Sequence, residues 1–205
     1  DLMRDFAQTA LNNSDRLYQL VNDLLDLSRL ESGRIVMKLA EAPVDSILSN
    51  AVGVVKNLAD QKKIHLLVRN TGTPVTAVLD REKMERVIIN LVSNAVKFTP
   101  PEGTIEVGVE PTSLEGQKGW KWWVKDSGVG IPAEDLNRVF EKFFQVENAN
   151  TRHVGGTGLG LSISRRIAEA HGGTIWAESK VQEGSTFIVF IPENPPQGEK
   201  KEAVQ

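Results

Sequence analysis

Apolar residues in the first 32 positions of the chain recur at alternating steps of four and three. The seam they form consists of Phe6, Ala10, Leu17, Leu20, Leu24 and Leu27, with Asn13 at the remaining step. Heptad spacing predicts one long amphipathic helix over 1–32, followed by a glycine stop in "ESGR" at 31–34. We interpret it as a helix from a bundle or dimer stalk, because the seam has no local partner; a surface helix packed on the neighbouring domain is the alternative.

Beyond this helix, the chain alternates between helical and strand-like periods. Helices are predicted over 42–63, which Pro43 and Asp45 open, over 81–98 and over 159–173. Strands are predicted over 34–40, 64–70, 76–80, 103–111, 119–126, 174–180 and 185–192, with one short helix within 133–144. This order predicts an α+β fold, a two-layer α/β sandwich with one mixed sheet under about three helices. We expect three parts: the long helix at 1–33, one domain at 34–193 and a polar, disordered tail at 194–205.

Composition narrows the classes of function. The chain has 205 residues, of which 40% are hydrophobic and 25% charged, and its net charge of -3 argues against a nucleic-acid partner. It has no cysteine and only three scattered histidines, His65, His153 and His171, so a disulfide framework is excluded and a zinc site is disfavoured. No apolar run reaches the length of a membrane span. We expect this chain to be a cytoplasmic fragment that does not contact a membrane. A membrane anchor elsewhere in the parent protein is compatible with this expectation.

The helix over 81–98 carries a polar stripe beside its apolar one. Its core-facing stripe is predicted to be Met84, Ile88, Leu91, Ala95 and Phe98, while Arg86, Asn90, Asn94 and Lys97 face elsewhere. Two amides and a lysine on one face suit a magnesium triphosphate, because amide oxygens are hard ligands for Mg²⁺ and Lys97 supplies a point charge for a phosphate. A solvated stripe on a surface helix is the alternative.

Glycines follow the strand that ends at Asp126. In "DSGVGIP", residues 126–132, Gly128 and Gly130 would let a flat ligand approach the backbone beside the carboxylate. A tight turn with a helix cap is the alternative. The same residues with Ala133 match a dinucleotide-binding pattern, but that pattern needs a second parallel strand, and the following segment is too polar to form one.

A second glycine-rich segment, "HVGGTGLGLSISRRI" at 153–167, leads directly into a predicted helix. Free N–H groups at a helix N-terminus, with the macrodipole behind them, favour a phosphate. Gly156, Gly158 and Gly160 stand at alternate positions, and no Lys-Ser or Lys-Thr pair follows them as in a Walker loop. The alternative is a flexible hinge before a helix.

Taken together, the motifs resemble those of the sensor histidine kinases. "NLVSNAVKF" at 90–98 is similar to the N box of that family, "DSGVGIP" to the G1 box, "VFEKFFQ" at 139–145 to the F box and "GGTGLGLSIS" at 155–164 to the G2 box, in the same order. The resemblance covers about residues 1–192. It implies the Bergerat ATP-binding fold that is shared with gyrase B subunits, mismatch-repair ATPases and heat-shock chaperones.

The resemblance also implies a role for each matching residue. Asn94 would coordinate Mg²⁺ with help from Asn90, and Lys97 would contact a phosphate, so that Asn90 and Lys97 also act in catalysis. Asp126 would accept from the adenine amino group, near Phe98. Gly128 and Gly130 would admit the base, and Thr186 would reach it through water. The residues expected to border the nucleotide further are Ile131, Gly156, Thr157, Gly158, Leu159, Gly160 and Leu161.

The same resemblance gives the expected activity and partners. Residues 1–33 are similar to the second helix of the dimerisation and phosphotransfer stalk, but the H box with its phosphoacceptor histidine is missing, and none of the three histidines has its neighbours. We expect a two-component kinase domain that moves the γ-phosphoryl group of ATP to a histidine outside this chain. Its expected partners are the histidine-containing stalk, a response regulator receiver domain and a second copy of the chain through the long helix. A nucleotide-regulated binding module without kinase activity is the alternative.

One position departs from the family pattern. Gln145 ends the F box where many relatives have arginine. The resemblance therefore leaves open which group of the lid over the triphosphate reaches the γ-phosphate, with Arg152 and His153 as candidates.

Overall fold

The structure, a computed structural model, describes residues 2–31, 37–146 and 156–195. The described part contains four α-helices, seven strands and two short 3₁₀ helices. The α-helices are α1 (Leu2–Glu31), α2 (Val44–Gln61), α3 (Arg81–Phe98) and α4 (Gly160–Ala170). The strands are β1 (Ala40–Pro43), β2 (His65–Arg69), β3 (Thr76–Leu79), β4 (Thr104–Leu114), β5 (Gln117–Asp126), β6 (Thr174–Lys180) and β7 (Gly184–Pro192).

Five of the strands form a mixed sheet in the order β2-β4-β5-β7-β6. β2 runs parallel to β4, and the other neighbours are antiparallel. β1 and β3 pair with each other in a separate two-stranded sheet, with Ala42 opposite Ala77. The prediction of a single sheet was therefore wrong at β1 and β3, because alternation along one strand does not tell which other strand it pairs with.

The helices and the main sheet enclose one apolar core. Leu48 from α2, Ile88 and Leu91 from α3, and Trp122 and Ile191 from the sheet are all fully buried. Burying side chains of this size contributes roughly 1.5–3 kcal/mol each, which is why the amphipathic helices settle on this face of the sheet. The predicted two-layer α+β fold is confirmed.

Three local predictions need correction. The strand predicted over 34–40 begins only at Ala40; residues 34–36 lie outside the described residues, and at Lys38 the backbone N–H is bound to the Asp80 carboxylate at 2.9 Å. α2 begins only at Val44, because Ala42 and Pro43 end β1 and pair with Ala77 and Thr76. The short helix within 133–144 is two 3₁₀ helices, Ala133–Asp135 and Arg138–Phe140. The predicted tail is described only as far as Pro195.

The long helix α1 contacts the domain through its C-terminal half. Leu27 is buried and Leu20 packs against the core, whereas Phe6, Leu17 and Leu24 from the same heptad seam are more than half exposed. The predicted helix is confirmed, and the C-terminal part of its seam packs on the neighbouring domain, while its interpretation as a stalk helix stays a prediction. No helix in the described ranges combines the length and apolarity that crossing a membrane requires.

Candidate functional site

A cavity of about 560 Å³ lies between α3, the loop after β5, the glycine-rich segment before α4, and α1. It has the size of a ligand pocket. From α3 it is lined by Asn90, Asn94, Lys97 and Phe98; from the β5 loop by Asp126, Gly130 and Ile131; from the glycine-rich segment and α4 by Gly156, Thr157, Gly158, Gly160 and Leu161. The structure thus brings together twelve of the predicted site residues, from motifs far apart in sequence.

The polar face of α3 forms one wall because the opposite face is held in the core. The carboxylate of Asp80 caps the helix by accepting the Lys83 backbone N–H at 3.1 Å. The buried side chains are Met84, Val87, Ile88, Leu91, Val92, Ala95 and Val96. This stripe is wider than predicted, and Phe98 does not belong to it. Phe98 lies half-buried at the cavity wall, where the Lys97 ammonium group stands 5.0 Å from its ring centre.

Two polar contacts orient the wall from α3. The side-chain nitrogen of Asn90 donates to the hydroxyl of Ser164 on α4 at 3.0 Å. The amide oxygen of Asn90 is next to Gly160, where an added Cβ would meet it at 2.2 Å. Amide oxygens from Asn90 and Asn94 on one cavity wall match the hard donors that Mg²⁺ takes together with water and phosphate oxygens.

Asp126 supplies a buried carboxylate at the opposite end of β5 from the hairpin turn. It is 6% exposed, and its Oδ1 accepts the Gly128 backbone N–H at 2.8 Å. Burial raises the pKa of Asp126 from 3.8 to about 6, against the opposing effect of hydrogen bonds from the backbone of Gly128 and Ser185. A desolvated acceptor of this kind can discriminate a ligand amino group from other groups.

Neighbouring backbone atoms leave no room for a side chain at the two glycines of the loop after β5. A Cβ at Gly128 would lie 2.7 Å from the carbonyl oxygen of Phe98. Gly130 has a φ of +70°, and a Cβ there would lie 2.1 Å from the carbonyl oxygen of Lys180. Gly130 lines the cavity and Gly128 does not, although Gly128 binds Asp126. The proposal that these glycines admit a base to the cavity stays a prediction, because the packing of the chain already accounts for both of them.

The glycine-rich segment crosses the end of the α3 wall. A Cβ at Gly156 would lie 2.8 Å from the Lys97 ammonium group, and one at Gly158 would lie 2.8 Å from the Phe143 backbone. Leu159 is fully buried and is absent from the cavity lining, which corrects its predicted place beside the ligand. As an apolar side chain immediately before α4, it anchors the segment in the core.

The F-box residues reach the same cavity. Phe144 and Gln145 both line it, and the Gln145 side-chain nitrogen donates to the Gly156 carbonyl at 3.0 Å. Gln145 therefore ties the F box to the glycine-rich segment. The two candidates for a γ-phosphate contact, Arg152 and His153, lie outside the described residues.

The predicted contact from β7 is displaced by one residue. Ser185 and Phe187 line the cavity, whereas Thr186 does not. Because successive side chains in a strand point to opposite faces, Thr186 lies on the other face of the sheet, between Lys125 and Glu178. Thr186 therefore does not line the cavity, and Ser185 lies where the contact from β7 was expected; a contact of β7 with a base stays a prediction.

Two of the lining residues that were not predicted as part of the site are charged. Arg86 lies one helical turn before Asn90, so its place on the polar face of α3 already pointed to the cavity. Asp23 lies on α1 and reaches the same cavity. Nothing in its local sequence indicated this position.

The described histidines lie outside the cavity. His171 is fully buried after α4; its Nε2 accepts the Asp80 backbone N–H at 2.9 Å and its Nδ1 lies 2.8 Å from the Ile167 carbonyl oxygen. Burial lowers the pKa of His171, so the ring is neutral and joins α4 to the start of α3. The structural interpretation of His171 is confirmed. His65 lies on β2 with an exposed side chain.

Comparisons with known proteins point to one family. A sequence profile described as "Histidine kinase-, DNA gyrase B-, and HSP90-like ATPase" matches residues 79–195. The circadian input-output histidine kinase CikA of Synechococcus elongatus is 35% identical over 193 residues, or 93% of this chain and 25% of that protein. The chain spans 12–50% of the length of several curated relatives.

Two solved structures share the fold. Full-length ShkA in complex with AMPPNP has a TM-score of 0.79 and 26% identity, covering 96% of this chain and 40% of its own. The histidine kinase ThkA in complex with the response regulator protein TrrA has a TM-score of 0.72 and 26% identity, covering 94% of this chain and 52% of its own.

Proposed function

We propose that this chain, which belongs to the histidine kinase-, DNA gyrase B- and HSP90-like ATPase family, binds Mg-ATP in the cavity between α3 and α4 and serves as the catalytic domain of a sensor histidine kinase. The observation that carries this proposal is the convergence of Asn90, Asn94 and Lys97 with Asp126 and the glycine-rich segment around one cavity. These groups provide different chemistry at the two ends of a nucleotide.

At one end, Asp126 binds the adenine. Its buried carboxylate accepts a hydrogen bond from the amino group of the base, and Phe98 and Ile131 supply apolar surface beside it. A guanine would present a carbonyl oxygen to the carboxylate instead of an amino group. Two acceptors facing each other in a desolvated site are unfavourable, so the site selects adenine.

At the other end, the residues fit a magnesium triphosphate. Asn90 and Asn94 offer amide oxygens, and Lys97 offers a positive charge next to Gly156. In the described ranges no group of three or more His, Asp or Glu side chains could hold a metal by itself. This favours an ion that takes most of its ligands from substrate phosphates and water, as Mg²⁺ does. Held by these amides, Mg²⁺ would supply neutralisation of the charge that develops on the phosphates.

The reaction transfers a phosphoryl group from ATP to an imidazole. The bond between the β,γ-bridging oxygen and the γ-phosphorus breaks, a bond from a histidine nitrogen to that phosphorus forms, and ADP leaves. Lys97 and the start of α4 hold the phosphates while the acceptor approaches, since positioning and charge neutralisation dominate phosphoryl transfer. The hydrogen bond to Ser164 holds the Asn90 side chain at the phosphate end of the cavity.

The acceptor histidine is proposed to lie in another part of the kinase, because none of the three histidines of this chain has the neighbours of an H box and neither of the two described ones faces the cavity. His171 is buried and neutral, and the exposed His65 lies on β2 outside the cavity lining. α1 is proposed as the second helix of the stalk that carries the acceptor, and its exposed Phe6 and Leu17 would pair with a second copy of the chain. A response regulator receiver domain is proposed as the phosphoryl acceptor that follows, which the ThkA complex with TrrA supports.

Phosphotransfer to a separate stalk tests this function. The chain is mixed with a purified stalk that carries an H box, together with γ-labelled ATP and Mg²⁺. Acid-labile label on the stalk is expected, and Asn94→Ala and Asp126→Asn should abolish it. Label on a histidine of this chain, or ATP binding without any transfer, contradicts the proposal; the second result favours a binding module.

A further inference from the structure

We propose that the carboxylate of Asp23 on α1 occupies donors that bind the phosphates of ATP, so that the docked α1 and the nucleotide compete for Arg86. This inference rests on the function proposed above and adds a regulatory contact to the same site. It makes Arg86 a further nucleotide-binding residue.

The contacts of Asp23 are those of a bound anion. One carboxylate oxygen accepts from a terminal nitrogen of Arg86 at 3.1 Å, and the other accepts from the Thr157 hydroxyl at 3.3 Å. Asp23 is 5% exposed and lines the cavity together with Arg86 and Thr157. Asp26, one turn further along α1, also binds the guanidinium of Arg86.

The donors around Asp23 suit a phosphate as well as a carboxylate. A guanidinium presents paired N–H groups that match either anion. Thr157 lies in the glycine-rich segment three residues before Gly160, where α4 begins. The positive end of that helix favours negative charge. Asp23, which lies on α1, therefore occupies hydrogen-bond donors of the kind that bind a polyphosphate.

Arg86 lies within reach of the phosphates. It is four residues before Asn90 on α3, a distance of about 6 Å along the helix axis, and both residues face the cavity. A guanidinium one turn from the metal-binding amides can extend the positive surface that Lys97 begins at the other end of the stripe. Arg86 is only partly exposed, so its charge is less screened than that of a surface arginine.

Binding of ATP has a different effect on Asp23 and on Arg86. A buried carboxylate beside a triphosphate repels it, while the guanidinium attracts it. ATP binding is therefore linked to release of the Asp23 contacts, and a docked α1 lowers the affinity for ATP by the same factor. Adenosine carries no phosphate and is insensitive to both residues.

Calorimetric titration of the full chain with Mg-ATP and with adenosine tests the competition. Asp23→Asn removes the charge and keeps the shape; it should raise the affinity for ATP about fivefold and leave that for adenosine unchanged. Arg86→Gln should lower the affinity for ATP about tenfold, again without effect on adenosine. In the double variant, the Asp23 substitution should lose most of its effect. Glu106→Gln, which breaks the exposed pair with Arg69 at 3.1 Å, is the matched control.

The outcomes separate this inference from the proposed function. If the parent chain binds neither ligand, the proposed function is wrong. If the parent binds ATP and Asp23→Asn leaves its affinity unchanged or lowers it, the competition is overturned while the proposed function stands. Thermal unfolding of each variant is recorded alongside, and Asp23→Asn alone decides the question if Arg86→Gln does not fold.

Discussion

Asn90 and Gly160 touch across the phosphate end of the cavity, so closely that a Cβ added at Gly160 would lie 2.2 Å from the Asn90 amide oxygen. The helix that carries the proposed metal ligand thus meets the helix of the proposed phosphate site at a position where the second helix has no side chain. The Asn90 side chain is held in this position by its hydrogen bond to Ser164, on the same helix as Gly160.

The substitution Gly160→Ala should therefore act on the metal site. The added methyl group displaces the end of the Asn90 side chain, which is the flexible partner in the contact. We expect the affinity for Mg-ATP to fall roughly 10–100-fold, the range seen when the support of a metal ligand is lost, while the affinity for adenosine is kept. Calorimetry with and without Mg²⁺ measures both.

Gly53 provides the matched control for this substitution. It lies within α2, and a Cβ there meets nothing within 4 Å. Gly53→Ala should stabilise the fold by up to about 1 kcal/mol through helix propensity and leave nucleotide binding as it is. Equal losses of Mg-ATP affinity in both alanine variants would contradict the role assigned to the contact between Gly160 and Asn90.

The α3 wall could be predicted from the sequence because the helical period that places the apolar residues in the core also places the polar residues on a different face. Met84, Ile88 and Leu91 mark the buried face, so Asn90 and Asn94 must lie on another. The same logic applied to β7 would have corrected Thr186: Phe187 is a buried apolar residue, and Ser185 shares its face by the strand period of two.

Other features depend on contacts that local patterns do not encode. The pairing of β1 with β3 is a tertiary contact. Just before β1, the Lys38 backbone N–H donates to the carboxylate of Asp80, which directly follows β3. The approach of Asp23 to Arg86 joins residues 63 positions apart. Neither the heptad of α1 nor the stripe of α3 specifies that contact; it follows from how α1 docks on the domain beside α4.

The raised pKa of Asp126 makes the fold more stable in mild acid. The folded chain binds this proton with a pKa of about 6, against an ordinary value of 3.8, so the stabilising contribution is full below 3.8 and is lost as the pH rises through 6. The difference corresponds to about 3 kcal/mol. Urea unfolding at pH 4.5 and pH 7 should show about 2 kcal/mol of this fall for the parent, because the contribution is not yet full at pH 4.5. For Asp126→Asn the fall should be smaller by a comparable amount, and an unchanged fall would contradict the assignment.

Adenine binding should have the opposite pH dependence. Only the ionised carboxylate accepts from the amino group of the base, so affinity falls as the pH drops through 6, approaching about tenfold per pH unit below it. Adenosine is the probe, because phosphate groups titrate in the same range. Fluorescence or calorimetric titration from pH 7.5 to 5 measures the profile. A flat profile for the parent chain would sink the proposed role of Asp126.

The correction on β7 can be tested by a pair of substitutions. Ser185 lines the cavity beside Asp126, while Thr186 faces away. Ser185→Ala should lower the affinity for adenosine several-fold, in line with the loss of about 1 kcal/mol for a hydrogen-bonding hydroxyl. Thr186→Val should leave it unchanged. The reverse pattern in titration calorimetry would restore Thr186 as the contact and contradict the register of this strand.

Lys62 holds the end of α3 that carries Lys97 and Phe98. Its ammonium group donates to the carbonyl oxygens of Val96 at 2.8 Å, Lys97 at 3.0 Å and Thr99 at 3.3 Å. The last carbonyls of a helix lack partners within the helix, and a cation there also opposes the negative end of the macrodipole.

Lys62→Met keeps the apolar stem and removes these hydrogen bonds. We expect a loss of about 1–3 kcal/mol in the free energy of unfolding, because the buried carbonyl groups lose their partner. The affinity for ATP should fall as well, since the last turn of α3 no longer holds Lys97 against the glycine-rich segment, and Lys62→Arg should restore part of it. Lys63→Met, the same change at the neighbouring exposed residue, should affect neither quantity. If Lys62→Met lowers stability but binds ATP as tightly as the parent, Lys62 supports the fold alone and does not position the site.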